Sequence, residues 1–227
     1  MTARRFTAER PIRLSDTDAH GRLRLDAVAR YLQDVAADDV LDAGWAPDEH
    51  IWVVRRTNLD VTQPFLADTT VQLETWCSGT GASAALRRTS LHGDRGGRIA
   101  AEVTWIHLGP NMQPVRLDER FLAVYGESAA GQRAPTRFEL PGPTHNATYF
   151  EWQVRATDVD RLQHVNNAAY WAPIEELFVS RLGEPLRATL EYRQPLDFGD
   201  LVDVRVAGDG VWFTVGRHVR AAAILHS

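Results

Sequence analysis

The stretch VRATDVDRLQHVNNAAYW, residues 154–171, decides the fold, because its opening occurs twice in the chain. VRATDVD at 154–160 repeats IRLSDTD at 12–18. Each copy starts with a β-branched residue and an arginine and ends in Asp-x-Asp. Each also leads into a segment with helical spacing. Further on, NLDVTQPFLADT at 58–69 is answered by TLEYRQPLDFGD at 189–200. Both carry an apolar-acidic pair (Leu59-Asp60, Leu190-Glu191), then Gln-Pro, then an Asp. RIAAEVTWIHL at 98–108 and VRAAAILHS at 219–227 match more loosely. Three matches in the same order predict two homologous halves, 1–108 and 149–227. The linker over 109–148 is punctuated by Gly109, Pro110, Pro114, Gly126, Gly131, Pro135, Pro141 and Pro143.

Periodicity predicts the content of each half. Leu25, Val28, Leu32, Val35 and Val40 share a helical face over 25–43, with Gly44 as a stop. Tyr170, Ile174, Leu177 and Phe178 do the same over 167–182, ended by Gly183. A short helix is expected near 117–125 in the linker. Strand-like runs cover 51–61, 70–77, 84–92 and 98–107, then 188–192, 201–206, 211–215 and 219–225. The order strand, helix, then several strands in each half predicts an α+β fold with a long helix packed on an antiparallel sheet. Pro64 and Pro195 fall where each sheet turns.

Composition narrows the function classes. The chain has 227 residues, 44% hydrophobic and 24% charged, an ordinary globular balance. No run approaches the roughly 18 apolar residues of a membrane helix, so no membrane span is expected. The N-terminus has no apolar signal core. The only cysteine, Cys77, cannot pair within the chain, which fits a reducing, cytoplasmic setting. A net charge of −5 argues against a nucleic-acid partner. All 25 basic residues are arginine, which reads as codon bias. The histidines show no metal-ligand spacing, so no metal is expected.

The densest chemistry lies at 157–171. Asp160 is followed four residues on by His164, then by Asn166 and Asn167 at a predicted helix start. Asparagine there is also an ordinary N-cap. The same geometry can do chemistry. Free N–H groups at a helix start polarise a carbonyl oxygen, a carboxylate serves as base or nucleophile, and a histidine orients water.

HVNNAAYW preceded by Asp-x-Asp resembles the hotdog thioesterases. With LETWC at 73–77 and LEYRQP at 190–195, the two-copy layout resembles the acyl–acyl carrier protein thioesterases over nearly the whole chain. That resemblance implies a tandem hotdog: two antiparallel sheets, each wrapped on a long central helix, side by side as a pseudo-dimer. It implies hydrolysis of a fatty acyl thioester, of acyl carrier protein or coenzyme A, to free fatty acid and thiol without a cofactor. It places catalysis on Asp160, His164, Asn166 and Asn167, with Glu176 matching a helix glutamate of the family. Two family positions differ: Leu162 stands in place of an Asn, and Pro195 and Leu196 in place of a Glu and a Cys. These losses keep a second reading open, an acyl- or carrier-protein-binding double hotdog that does not hydrolyse. A dehydratase reading is weaker, since the glycine-rich helix start of such enzymes is missing.

In the first half Asp18 aligns with Asp160 and Arg22 with His164, so this copy lacks the His-Val-Asn-Asn element and reads as decayed. Cys77 reads as a buried small hydrophobe. Arg87, Arg88, Arg95 and Arg98, or Arg4, Arg5 and Arg10, form basic clusters that an acidic carrier protein could dock on; the plainer reading is a solvated rim. Since each half supplies the other's pairing partner, a monomer is expected, with a homodimer open.

Overall fold

A computed structural model describes residues 3–46 and 49–226. In chain order the first half comprises β1 (Phe6–Pro11), α1 (Leu25–Asp42), β2 (Ile51–Gln63), β3 (Thr70–Thr80), β4 (Ala84–Gly93) and β5 (Arg98–Leu108). Then come α2 (Glu119–Ala129) and the second half: β6 (Thr148–Gln153), α3 (Trp171–Leu177), β7 (Leu186–Tyr192), β8 (Leu201–Ala207), β9 (Gly210–Val215) and β10 (His218–His226). The strand order is β1-β3-β4-β5-β2-β7-β10-β9-β8-β6, antiparallel throughout. Read outward from the centre, the two halves have the same order, so the repeat in the sequence is a repeat in space.

The arrangement is the expected α+β tandem hotdog, with two changes of detail. First, the two sheets are joined. β2 and β7 pair from Arg56 with Glu191 to Val61 with Leu186, so ten strands form one continuous sheet. Second, the helix expected over 167–182 has only seven α-helical residues, 171–177, followed by a 3-10 turn at 179–181. The cause is local. Pro173 has no N–H to continue an i→i−4 ladder. The backbone before it closes tighter turns instead: Ala169 N–H donates to Asn166 O (2.9 Å) and Trp171 N–H to Ala168 O (3.1 Å).

α1 buries Val28, Leu32 and Val35 and packs against α3, whose Trp171 and Ile174 are fully buried. One apolar core spans both halves. α2 adds a second cluster, packing Phe121 and Tyr125 on Trp45 and Cys77. Glu191, wholly buried, ties the halves to the linker. It pairs with Arg56 (2.7 Å) and accepts from the N–H groups of Glu139 (2.6 Å) and Leu140 (3.2 Å). The short edge strands β1 and β6 are the strand expected before the helix of each half.

Candidate active site

Where β2 and β7 stop pairing, the sheet splits and a cleft of about 870 Å³ opens. Ile51–Arg55 of β2 form one wall; Tyr192–Pro195 and the loop 160–167 form the other. Trp105, Leu108, Met112 and Tyr170 extend its apolar lining. Its size is that of a small-molecule site.

Asp160 reaches this cleft from a closed loop. Asp160 N–H donates to His164 O (2.9 Å), and Gln163 N–H to Asp160 O (2.9 Å), with Gln163 in the left-handed region at φ 64°. The loop is anchored below by Asn166 N–H on Asp158 O (2.7 Å) and Val165 N–H on Leu196 O (2.8 Å). The Asp160 carboxylate accepts from Leu162 N–H at Oδ1 (2.8 Å) and from Asn166 Nδ2 at Oδ2 (3.2 Å). Leu162 thus contributes through its backbone where its side chain has lost the family's amide. Two bonds leave the carboxylate with free acceptor capacity facing the cleft.

Asn166 uses its whole amide. Besides donating to Asp160, it accepts from Ala168 N–H (2.9 Å) and exchanges two bonds with Gln33 of α1, at 3.0 and 3.2 Å. Asn166 therefore both caps the turn that leads toward α3 and holds Asp160. Its own N–H is spent on Asp158, so it cannot polarise a substrate. Asn167 lines the cleft, and its carbonyl accepts from Tyr192 Oη (2.9 Å). Among the described residues the Asn167 N–H donates to nothing. His164 also lines the cleft, but its Nδ1 meets Asp197 Oδ1 at 2.6 Å rather than Asp160. A proton on Nδ1 facing that carboxylate leaves Nε2 as an acceptor.

Glu176 is not brought to the cleft. It is exposed, and Glu175 is the one that turns inward. The Glu175 carboxylate accepts from Leu25 N–H (3.0 Å) and lines a cavity of about 20 Å³ with Arg22, Leu25 and Phe65. Burial pushes its pKa up to about 7 against the opposing Leu25 N–H bond. Gln33 and Asp197 were missed in the sequence. Gln33 had a findable signal: it precedes Glu175 by 142 residues, as Asp18 precedes Asp160. Each of the two crosses to the other half, Gln33 to Asn166 and Glu175 to the start of α1 at Leu25. Asp197 stands two residues past Pro195, where the family's carboxylate is expected.

The first-half copy folds alike but is closed off. Asp18 accepts from the N–H groups of His20 (2.8 Å) and Arg22 (2.9 Å), and from Arg22 Nε (2.7 Å). Burial acts to raise its pKa, but the Arg22 bonds outweigh that and hold it below the usual carboxylate range. A carboxylate so occupied is a poor base. Cys77 is buried, its thiol pushed up by burial, and it lies outside the cleft. The expected basic clusters are largely neutralised: Arg88 pairs with Glu102, Arg5 with Glu74, Arg10 with Asp38, and Arg4 and Arg87 with Asp39. Among the described residues no three His, Cys, Asp or Glu side chains are grouped to hold a metal. No described helix is long and apolar enough to cross a membrane.

Comparison with known proteins agrees with this layout. The sequence model of the acyl-ACP thioesterase N-terminal domain matches residues 3–125, and that of the C-terminal domain matches 142–219. An uncharacterized protein of Mycobacterium tuberculosis is 36% identical over 93% of this chain and 87% of its own. The chloroplastic oleoyl-acyl carrier protein thioesterase 2 of Arabidopsis thaliana is 22% identical over 79% of this chain and 56% of its own. Among solved structures, the 12:0-ACP thioesterase from Umbellularia californica superposes with a TM-score of 0.80 at 19% identity, covering 97% of this chain and 96% of that one. An acyl-ACP thioesterase from Bacteroides thetaiotaomicron gives 0.78 at 19% identity, covering 98% of both. At that identity these structures speak for the fold; the two domain matches, which together cover most of the sequence, carry the assignment. The chain belongs to the acyl-ACP thioesterase family of thioester hydrolases.

Proposed function

We propose that the protein hydrolyses a fatty acyl thioester in the 870 Å³ cleft, with Asp160 as general base. The observation that carries this reading is the Asp160 carboxylate, held by Leu162 N–H and Asn166 and left with free acceptor capacity on an apolar cleft. Water attacks the carbonyl carbon while Asp160 takes its proton. The Asn167 N–H is the available donor toward the developing oxyanion. The C–S bond then breaks, and the proton passes back to the thiolate. His164, fixed by Asp197, orients the water through Nε2. The acyl chain lies along Val54, Trp105, Tyr170 and Tyr192.

The carrier is acyl carrier protein or coenzyme A, and fatty acid release in the cytoplasm is the setting that fits. A single chain supplies both halves of the paired sheet, so a monomer suffices. The test is thiol release from acyl-ACP and acyl-CoA substrates spanning C4 to C18, with wild type beside Asp160→Ala. Loss of a general base costs about 10²–10⁴-fold. Wild-type rates in the mutant would refute the assignment. Binding of acyl carrier protein without thiol release by the wild type would favour the non-hydrolysing double hotdog.

A further inference from the structure

One wall of the cleft carries a positive charge that the hydrolytic reading leaves unused. Arg55 is the extra residue at a bulge of β2, where pairing to β5 slips between Val54 and Arg56. It sits at the apex of the split, one residue from the Arg56–Glu191 pair. Arg56 is answered by Glu191 and Glu139. Among the described residues Arg55 has no hydrogen bond or ion pair; its guanidinium lies over the Phe138 ring, 4.5 Å from the centroid. Arg193, from the opposite wall, lies over the same ring at 5.4 Å. Its terminal nitrogen is taken by Leu140 O and Glu191, but its Nε is buried with no partner. Burial lowers the Arg55 pKa, with Glu191 offsetting part of the effect. A half-buried cation that no carboxylate contacts directly is costly, and an arriving anion offsets part of that cost.

We infer that Arg55 and Arg193, set on Phe138, bind the phosphate of the pantetheine arm that delivers the acyl group. This rests on the thioester reading above. Both carriers of that reading, acyl carrier protein and coenzyme A, present the thioester on such an arm, and its far end is a phosphate. Arg55 and Arg193 both line the cleft. A fatty acyl tail carries no charge, so the anion that these two cations meet comes from the carrier. A guanidinium fork bonds phosphate in two places at once, which an ammonium does not.

The test uses two thioethers that cannot be hydrolysed, S-dodecyl-4′-phosphopantetheine and S-dodecylpantetheine, which differ only in the phosphate. Titration calorimetry of the wild type should show the phosphorylated probe binding about 10–100-fold tighter, the range of a charge-assisted bond. Arg55→Gln should shrink that preference to about threefold or less, and Arg55→Lys should restore part of it. Binding of S-dodecylpantetheine by the variants serves as the check that the cleft is intact. Equal affinity of the wild type for the two probes, binding of neither, or an undiminished preference in Arg55→Gln would overturn the inference. So would an Arg55-dependent gain with an ω-carboxylated S-alkylpantetheine in place of the phosphorylated probe, which would put the anion on the tail. Since no probe is cleaved, the outcome stands apart from whether Asp160 hydrolyses thioesters.

Discussion

Gln33 and Asn166 come from different halves of the chain, yet their side-chain amides face each other and exchange both hydrogen bonds, at 3.0 and 3.2 Å. Asn166 then donates its remaining N–H to Asp160. The candidate base is thus held in place by the helix of the opposite half. Gln33→Leu should leave Asn166 free to rotate and lower kcat. A net hydrogen bond of about 0.5–1.5 kcal/mol corresponds to a loss of roughly 2–10-fold. KM should change little, since the bond is not to substrate. A larger change in KM than in kcat would remove Gln33 from the positioning chain.

Gln33→Glu separates positioning from simple packing, because it keeps the shape and adds a charge. A second carboxylate near Asp160 disfavours ionisation of both. The acid limb of the kcat/KM profile should therefore move to higher pH, with activity returning as pH rises. A profile superimposable on the wild type would mean that the new charge is not felt at Asp160.

Much of this site was legible in the sequence, and what was missed was missed for physical reasons. Asp160, Asn166 and the closed loop around them are a local pattern repeated at a fixed spacing, and local patterns survive in sequence. The partnership of Gln33 with Asn166 spans 133 residues and joins the two halves, which also meet through α1 on α3 and β2 on β7. Read alone, Gln33 is a polar position on an amphipathic helix. The resemblance points to Glu176; one residue, about 100° on a helix, separates it from Glu175, which faces inward. The bounds of β1 and β6 escaped because these six-residue edge strands hold no buried residue and so show no core-facing pattern. Pro173 was the signal that the second helix starts later than Asn167.

Asp197 offers a prediction on the other side of Asp160. Its contact with His164 Nδ1 at 2.6 Å fixes the imidazole tautomer, but the carboxylate is more than half exposed. Solvent weakens such pairs to about 0–1 kcal/mol. Asp197→Asn should therefore cost no more than about tenfold in kcat, far less than Asp160→Ala. A loss equal to that of Asp160→Ala would make Asp197 part of the chemistry rather than a support for His164.

Glu191 supports the frame rather than the reaction. Removing one partner of a buried ion pair strands the other charge and costs about 3–5 kcal/mol. Glu191→Ala leaves buried Arg56 with only the exposed Glu139 as counter-charge and frees the N–H groups of Glu139 and Leu140. Urea unfolding should show that loss, and limited proteolysis should cut faster near residue 139. Replacing the pair together, Arg56→Met with Glu191→Leu, should cost less than Glu191→Ala alone. If the double variant is the less stable of the two, the pair is worth more than its desolvation.

Glu175, the counterpart of Gln33, makes the first-half copy sensitive to pH. Its carboxyl is pushed up to about 7, first by burial and then by the nearby Asp26, against the Leu25 N–H bond. The folded state therefore holds a proton that the unfolded chain gives up above its ordinary value near 4.5. Between those values the native state binds more protons than the unfolded one, so stability falls as pH rises. The favourable contribution is full below about 4.5 and is lost by the time the pH has passed about 7. Glu175→Gln keeps the acceptor for Leu25 N–H and removes the titration, copying the glutamine that α1 already uses at position 33. The variant should match the wild type at pH 5 and exceed it at pH 8, by an amount on the order of 2 kcal/mol. Urea midpoints at the two pH values read this directly. A difference between wild type and variant that is the same at both would show that Glu175 does not titrate in this range.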